Sequence, residues 1–405
     1  MHLNFARRQF VQRALALSAA GLTLSRGYAA NETWPVWRRD MRPGTWKAIS
    51  VNTLADINPE RDPKLNPNFP REAPWHGVMG QVAVVSHWSG GAWDEDQHFL
   101  WVYGGGHTDS AENSIYGIEL NTDAPRWKLI LPPSGALGNT GRLDDRKENT
   151  GMYFDGRPRS SHTYGLLNVV DHDLWMWPQG AQFITGGGTA LAWRFSREKQ
   201  TWTQMAATPL DYSEHYSGTC WLAAQRELWH FPNTNSPAWV LNVDTRQARR
   251  VDYDGNSSAC KASIYDAQRQ LIVVFGNFPQ GFILVRPQGP RALAFVPPLK
   301  GSPPPAYASE GRGSDGWAYD ALNDVYCSRR GKTADVNILV PPHGKEGLWA
   351  WRVMNAAPEN TLVPPPPAAT GTYGRWFASA SLGVVGCVNH VEQKLYVLAL
   401  PTPSA

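Results

Sequence analysis

Two short polar segments hold the residue types that acid–base chemistry requires. The first, Gly104-Gly-Gly-His-Thr-Asp-Ser-Ala-Glu-Asn113, offers His107, Asp109, Glu112 and Asn113; the second, Arg157-Pro-Arg-Ser-Ser-His-Thr-Tyr164, offers Arg159, His162 and Tyr164. Removing the proton beside a carboxylate and expelling an oxygen leaving group would use the Arg, His and Tyr among them. Arg or His neutralises the carboxylate so that charge builds there, while Tyr or His serves as base and acid. The same residues admit other uses. Asp109 or Glu112 with Glu214 or Glu310 would suit hydrolysis by two carboxylates. His107, Asp109 and Glu112 could ligate a divalent ion, although their spacing is not distinctive. Purely local roles are also open: His107 bonding a neighbouring backbone, and Asp109 and Asn113 tying a turn.

Groups so far apart in sequence act together only if a repeating fold brings them to one place. The composition, 19 Trp, 37 Gly and 32 Pro with only 18% charged residues, is rich in strands and turns. Few stretches sustain a 3.6-residue apolar period for three turns, so helix should be minor. One unit reads clearly between Gly80 and Ile130. Its strands are expected at Gln81–Val85, Phe99–Tyr103, Ser114–Leu120 and Arg126–Ile130, with a glycine break after the second and a Trp opening the fourth. Four short strands with that punctuation make one propeller blade. The pattern returns from Tyr164 to Thr203, Thr219 to Val251, Cys260 to Phe295 and Gly316 to Val353. A last unit, Phe377 to Leu400, lacks an outer strand, and Thr45–Val51 would supply it, closing the ring with both ends of the chain in one blade. The expectation is an all-β propeller of six blades over residues 30–405. Seven is the alternative if Pro132–Pro158 hides strands.

Tyr103-Gly-Gly-Gly-His107, followed by Ile115-Tyr and the later Trp127, resembles a kelch motif. The resemblance covers nearly the whole chain by its repeat pattern, but the other blades depart from the glycine pair. In a propeller, the loops joining strands two and three and those leading into each blade emerge on one face around the axis. That places His107 and His162, from adjacent blades, near each other. The same face receives Tyr212, Glu214, His215 and Tyr216, then Asn256 and Lys261, then Glu310, Arg312 and Asp315, then Tyr373, Arg375 and Trp376, with Arg329, Arg330 and Lys332 from the fifth blade. Trp75 and Trp376 are candidate sugar platforms. The constellation is similar to that of several extracellular propeller polysaccharide lyases, which place His, Tyr and Arg on the axial face. That likeness implies an acidic polysaccharide or oligosaccharide as partner, with His107, His162 and Tyr164 at the proton transfer. Arg159, His215, Lys261, Arg312, Arg329, Tyr373 and Arg375 would then bind substrate. A glycan- or protein-binding propeller without catalysis is the competing class. The Cys–Tyr partnership of kelch copper radical oxidases finds no place on the four cysteines, and neither cofactor nor metal is specified.

The first residues carry Arg7-Arg8-Gln9-Phe10, an apolar run from Ala14 to Leu24 and small residues at Gly27 and Ala29. That order reads as an export signal over residues 1–29, with the paired arginines resembling the twin-arginine type. The expected location is periplasmic or secreted. Removing the segment takes away four arginines and no acids, so the basic count falls from 38 to 34 against 35 acids. A net charge near −1 removes any whole-protein argument for nucleic-acid binding. No later stretch is long and apolar enough to span a bilayer as a helix. Cys220, Cys260, Cys327 and Cys387 are too scattered to suggest zinc, and leave a disulfide or buried thiols equally open.

Overall fold

The computed structural model of the protein describes residues 33–65, 77–135, 151–183, 185–207, 217–233, 237–253, 262–287, 291–301, 315–329, 331–343 and 347–401. Six antiparallel four-stranded units stand in a ring. The first contains β2 (Gly90–Asp94), β3 (Phe99–Tyr103), β4 (Ile115–Glu119) and β5 (Trp127–Leu131), after the isolated β1 (Trp46–Ala48). The second contains β6 (Leu167–Val170), β7 (Asp173–Met176), β8 (Leu191–Ser196) and β9 (Thr201–Ala207). The third contains β10 (Gly218–Leu222), β11 (Glu227–Phe231), β12 (Ala238–Asn242) and β13 (Gln247–Tyr253). The fourth contains β14 (Ala262–Asp266), β15 (Leu271–Phe275), β16 (Phe282–Arg286) and β17 (Arg291–Phe295). β18 (Leu299–Lys300) then pairs in parallel with the outer strand of the fifth blade, which is β19 (Ala318–Asp320), β20 (Val325–Ser328), β21 (Val336–Val340) and β22 (Trp349–Met354). The sixth is β23 (Trp376–Ser379), β24 (Val384–Cys387) and β25 (Tyr396–Ala399), completed by β1 from the other end of the chain.

The sequence explains why the middle strands are the easiest to read. Each blade is a radial sheet covered on both faces by its neighbours, so β3 and β15 are buried along their whole length. Their segments, FLWVY and LIVVF, are continuous apolar runs rather than alternations. In β3, Leu100 and Val102 face the sixth blade, while Phe99, Trp101 and Tyr103 face the second. Six apolar layers fill the six inter-blade spaces.

One expected strand is corrected. Gln81–Val85 lies in a short helical segment, Gly80–Val82 followed by Ala83–Ser86, and the innermost strand of the first blade is Gly90–Asp94. The reason is steric. A Cβ on Gly90 would stand 2.2 Å from the Tyr164 carbonyl oxygen, so the strand nearest the axis needs a residue without one. Apolar content, which favoured Gln81–Val85, does not report that need.

The N-terminal segment fastens the closure. Trp34 and Arg38 donate to the carbonyls of Ser381 and of Leu382 and Gly383 in the sixth blade, while Trp37 donates to Leu120 and Thr122 in the first. Cys220, Cys327 and Cys387 are buried free thiols, and Cys260 lies outside the described residues. Among the described residues, no helix is long and apolar enough to cross a membrane.

Candidate functional site

The loop after β3 and the loop before β6 are stitched together by backbone groups. Gly106 N–H donates to Ser160 Oγ at 2.7 Å, and Thr163 Oγ1 donates to the Tyr103 carbonyl at 2.8 Å while accepting from Gly90 N–H at 2.7 Å. Gly106 has φ +82°, and a Cβ there would stand 2.4 Å from both Ala181 O and His162 N. The glycine run therefore permits a close approach that places the two histidines side by side.

Their rings meet edge to face, with centroids 5.8 Å apart. His162 Nε2 lies 2.7 Å from Asp109 Oδ2, and its Nδ1 lies 3.3 Å from Tyr164 Oη. An ionised Asp109 only accepts, so it selects the tautomer with the proton on Nε2 and leaves Nδ1 to accept from the Tyr164 hydroxyl. The result is a line of hydrogen bonds, Tyr164 to His162 to Asp109. Burial alone would raise the Asp109 carboxyl; the hydrogen bond from His162 and the nearby imidazoles of His162, His87 and His107 outweigh it and hold the group below its usual range.

Access is graded across this cluster. His107 is exposed, Trp88 and His87 are half-buried, and His162 and Tyr164 are only 3% and 2% exposed. Trp88 covers the His162 ring with centroids 4.9 Å apart, and Tyr373 meets the Tyr164 ring at 5.9 Å. Gly186 fixes the outer imidazole, since a Cβ there would come within 2.6 Å of its Cδ2. Backbone strain gathers here too. Trp88, His107, Tyr164 and Tyr373 have φ of 46°, 46°, 41° and 49°, and every other described non-glycine residue at positive φ lies in a hairpin turn on the opposite face. Bulky residues are held in that region only where surrounding structure overrides their preference, as at functional sites.

The arginines behave differently from expectation. Arg375 is fully buried and donates to the carbonyls of Ser89, Val388 and Gly371. Arg329 donates to Thr333, Pro365 and Pro364, and Arg159 is 1% exposed with its Nε on the Met152 carbonyl. Arg159, Arg329 and Arg375, all expected to bind substrate, thus direct guanidinium N–H groups to backbone carbonyls. Trp376, a candidate sugar platform, is buried against Trp46 with its indole N–H on the Cys327 carbonyl. Tyr373 is buried beneath Tyr164. Asn113 ties Ser134 and the Pro158 carbonyl, and Glu112 is buried behind the loop, accepting from Tyr116 Oη. His215, Lys261, Arg312, Tyr212, Glu214, Tyr216, Asn256, Glu310, Arg330 and Trp75 lie outside the described residues.

Sequence reasoning missed His87 and Trp88. The signal was Ser86-His-Trp-Ser-Gly-Gly91, a polar approach to a glycine-led inner strand, hidden while Gln81–Val85 stood as the strand. A different cluster, Asp94, Asp96 and His172, has ligand atoms within 4.8 Å of one another on the opposite face.

The chain matches no family model and no curated protein. Among solved structures, it is similar to a structural-genomics protein of unknown function from Bacteroides thetaiotaomicron VPI-5482. The two share 10% identity over 87% of this chain and 75% of that one, with a TM-score of 0.45. The assignment as a six-bladed propeller stands on the strand pairing described above.

Proposed function

We infer that the protein is an exported, carbohydrate-active propeller of kelch-like type that cleaves a uronate-containing glycan by β-elimination. The observation that carries this reading is the line from Tyr164 through His162 to Asp109, with the exposed His107 beside it. Tyr164 takes the proton beside the uronate carboxylate, His162 accepts the phenolic proton, and Asp109 stabilises the resulting imidazolium. His107 meets the substrate first and gives a proton to the departing glycosidic oxygen, which leaves as a hydroxyl while the electron pair of the broken C–H bond forms the double bond. Trp88, half-exposed at the rim, is the candidate platform for a sugar face.

One observation favours the second reading, a glycan-binding propeller without catalysis. At 3% and 2% exposure, His162 and Tyr164 also suit a network whose task is to fix the loops that carry His107 and Trp88. A single assay separates the readings. The mature protein is incubated with a panel of uronate-containing and neutral glycans, and the ultraviolet absorbance of the unsaturated uronate end is followed. Rising absorbance on a uronate polymer is expected. No rise on any of them defeats the lyase reading, and new reducing ends without absorbance favour hydrolysis. Export through the twin-arginine route is supported by Arg7-Arg8-Gln9-Phe10 and the short apolar run that follows.

A further inference from the structure

We propose that the central channel is a second binding site, built for a neutral sugar ring or short neutral oligosaccharide. The innermost strands β2, β6, β10, β14, β19 and β23 enclose a channel of about 390 Å³. That is within the range of small-molecule sites, roughly 300–1,000 Å³.

Its walls combine two features that few ligands satisfy together. The first is aromatic surface. Trp93, Trp221, Tyr265 and Tyr319 line the channel, each one residue before the end of its inner strand, so they stand at one level around the axis. All four are half-buried. Two are already held: Trp93 Nε1 donates to Glu95 Oε2 at 2.7 Å and Tyr319 Oη to Asp324 Oδ1 at 2.6 Å, so ring orientation is fixed before any ligand arrives.

The second feature is uncharged hydrogen-bonding capacity. Each inner strand pairs with its own blade on one side and turns its other edge, with backbone N–H and C=O groups, toward the axis; at one point on that edge the Thr219 N–H and hydroxyl already donate to the Gly165 carbonyl. Asn168 and Thr219, joined at 2.5 Å, add side-chain polarity to the wall. No charged side chain lines the channel among the described residues. A carboxylate would lose its hydration there with no cation in compensation. A neutral sugar, with apolar C–H faces and a girdle of hydroxyls, matches both features.

The channel adjoins the acid–base cluster through Tyr373, which lines the channel and touches the Tyr164 ring. Joined to the proposed elimination, and resting on it, this placement makes the substrate a glycan that carries a neutral segment as well as the uronate, the two separated by the depth of the channel.

The test titrates the mature protein with glucose, galactose, xylose and cellobiose, using glucuronate and galacturonate as charged controls, by calorimetry and tryptophan fluorescence. Saturable binding of a neutral sugar is expected, at least about tenfold tighter than that of either uronate. Trp221→Ala should weaken it by about tenfold or more, whereas Arg246→Ala, in the exposed turn between β12 and β13, should leave it unchanged. Ala378→Trp, which fills the channel, gives an independent variant if Trp221→Ala fails to fold. The proposal is overturned if no neutral sugar in the panel saturates, if a uronate binds equally well, or if the folded channel variants retain full affinity. Elimination measured in parallel on uronate polymers shows separately whether the acid–base reading fails.

Discussion

The backbone amides of His107 and His162 donate to the same acceptor, the Ala181 carbonyl, at 3.3 and 2.8 Å. One oxygen from the loop between β7 and β8 thus fixes the start of both histidine-bearing segments. Their mutual position is set by main chain, and the side chains inherit it. Rings placed this way keep their geometry when a single distal atom is exchanged, so conservative substitutions can be read as changes in chemistry.

Tyr164→Phe deletes only the hydroxyl at the inner end of the relay, and Asp109→Asn removes the charge that selects the His162 tautomer. Each should lower turnover on a uronate glycan by roughly 10²–10⁴-fold with little change in KM. Circular dichroism and thermal melting should remain close to those of the parent protein. Two folded variants with unaltered turnover would remove the relay from the reaction and leave it a loop-fixing device.

Asp109 and Glu112, three residues apart, are pushed in opposite directions. Burial, followed by the charge of Glu60, raises Glu112 to about 8 against an ordinary value of 4.5, although the Tyr116 hydrogen bond opposes the shift. The folded chain therefore keeps a proton that the unfolded chain releases, and stability falls as pH rises from about 4.5 to about 8, then levels off. Glu112→Gln stays neutral and still accepts from Tyr116. It should raise stability at pH 8 by on the order of 1–3 kcal/mol and have little effect at pH 4, as measured by denaturant titration at both values. Asp109, lowered in the fold, has the opposite sign: its contribution is present at neutral pH and is lost as acid titrates the folded carboxyl. An unchanged pH profile in Glu112→Gln would mean that the carboxyl ionises normally.

Much of this architecture was legible because burial on both faces leaves a strong mark. Phe99–Tyr103 and Leu271–Phe275 are apolar throughout, and Tyr103-Gly-Gly-Gly-His107 announces both a turn and a close approach. The inner strand Gly90–Asp94 left a fainter mark, since Gly90 answers to groups far away in sequence: its N–H donates to the Thr163 hydroxyl, and a Cβ there would meet the Tyr164 carbonyl. The direction of the arginine side chains was not legible for a related reason. A loop position on the axial face does not disclose whether its side chain turns outward to a ligand or inward to carbonyls. For Arg375, those carbonyls come from segments as distant as Ser89 and Val388. The closeness of His107 and His162 was legible because their polar loops are adjacent in the repeat, whereas Trp88 looked like one more blade tryptophan.

Arg375 should accordingly behave as a structural residue. Burial pulls its pKa down to about 9, which leaves it cationic at neutral pH, and its donors bind carbonyls of both the sixth and first blades. Arg375→Met would leave those carbonyls buried without their donors, at a cost of about 3–5 kcal/mol. The expected result is a large drop in the unfolding midpoint, with ligand affinity of the remaining folded protein unchanged. A stable variant with weakened affinity for uronate glycans would return Arg375 to the substrate site.

Ring closure gives the last prediction. β1 supplies the outer strand of the sixth blade, in register Trp46 to Leu398, and Trp46 Nε1 donates to the Ala334 carbonyl of the fifth blade at 2.8 Å. Its indole packs in the layer between those blades with Trp376 and Val385. Trp46→Ala should cost about 3–5 kcal/mol through the lost volume and the unpaired carbonyl. Deleting residues 30–51 goes further, because it also removes the Trp34, Trp37 and Arg38 contacts and bares the edge of β25. An open edge invites pairing with a second chain, so size-exclusion chromatography should show oligomers or aggregates where the parent chain runs as a smaller species. A truncated chain that stays at the parent size and melts at the parent temperature would show that the blade closes without β1. It would also move the source of its stability to the six inter-blade layers alone.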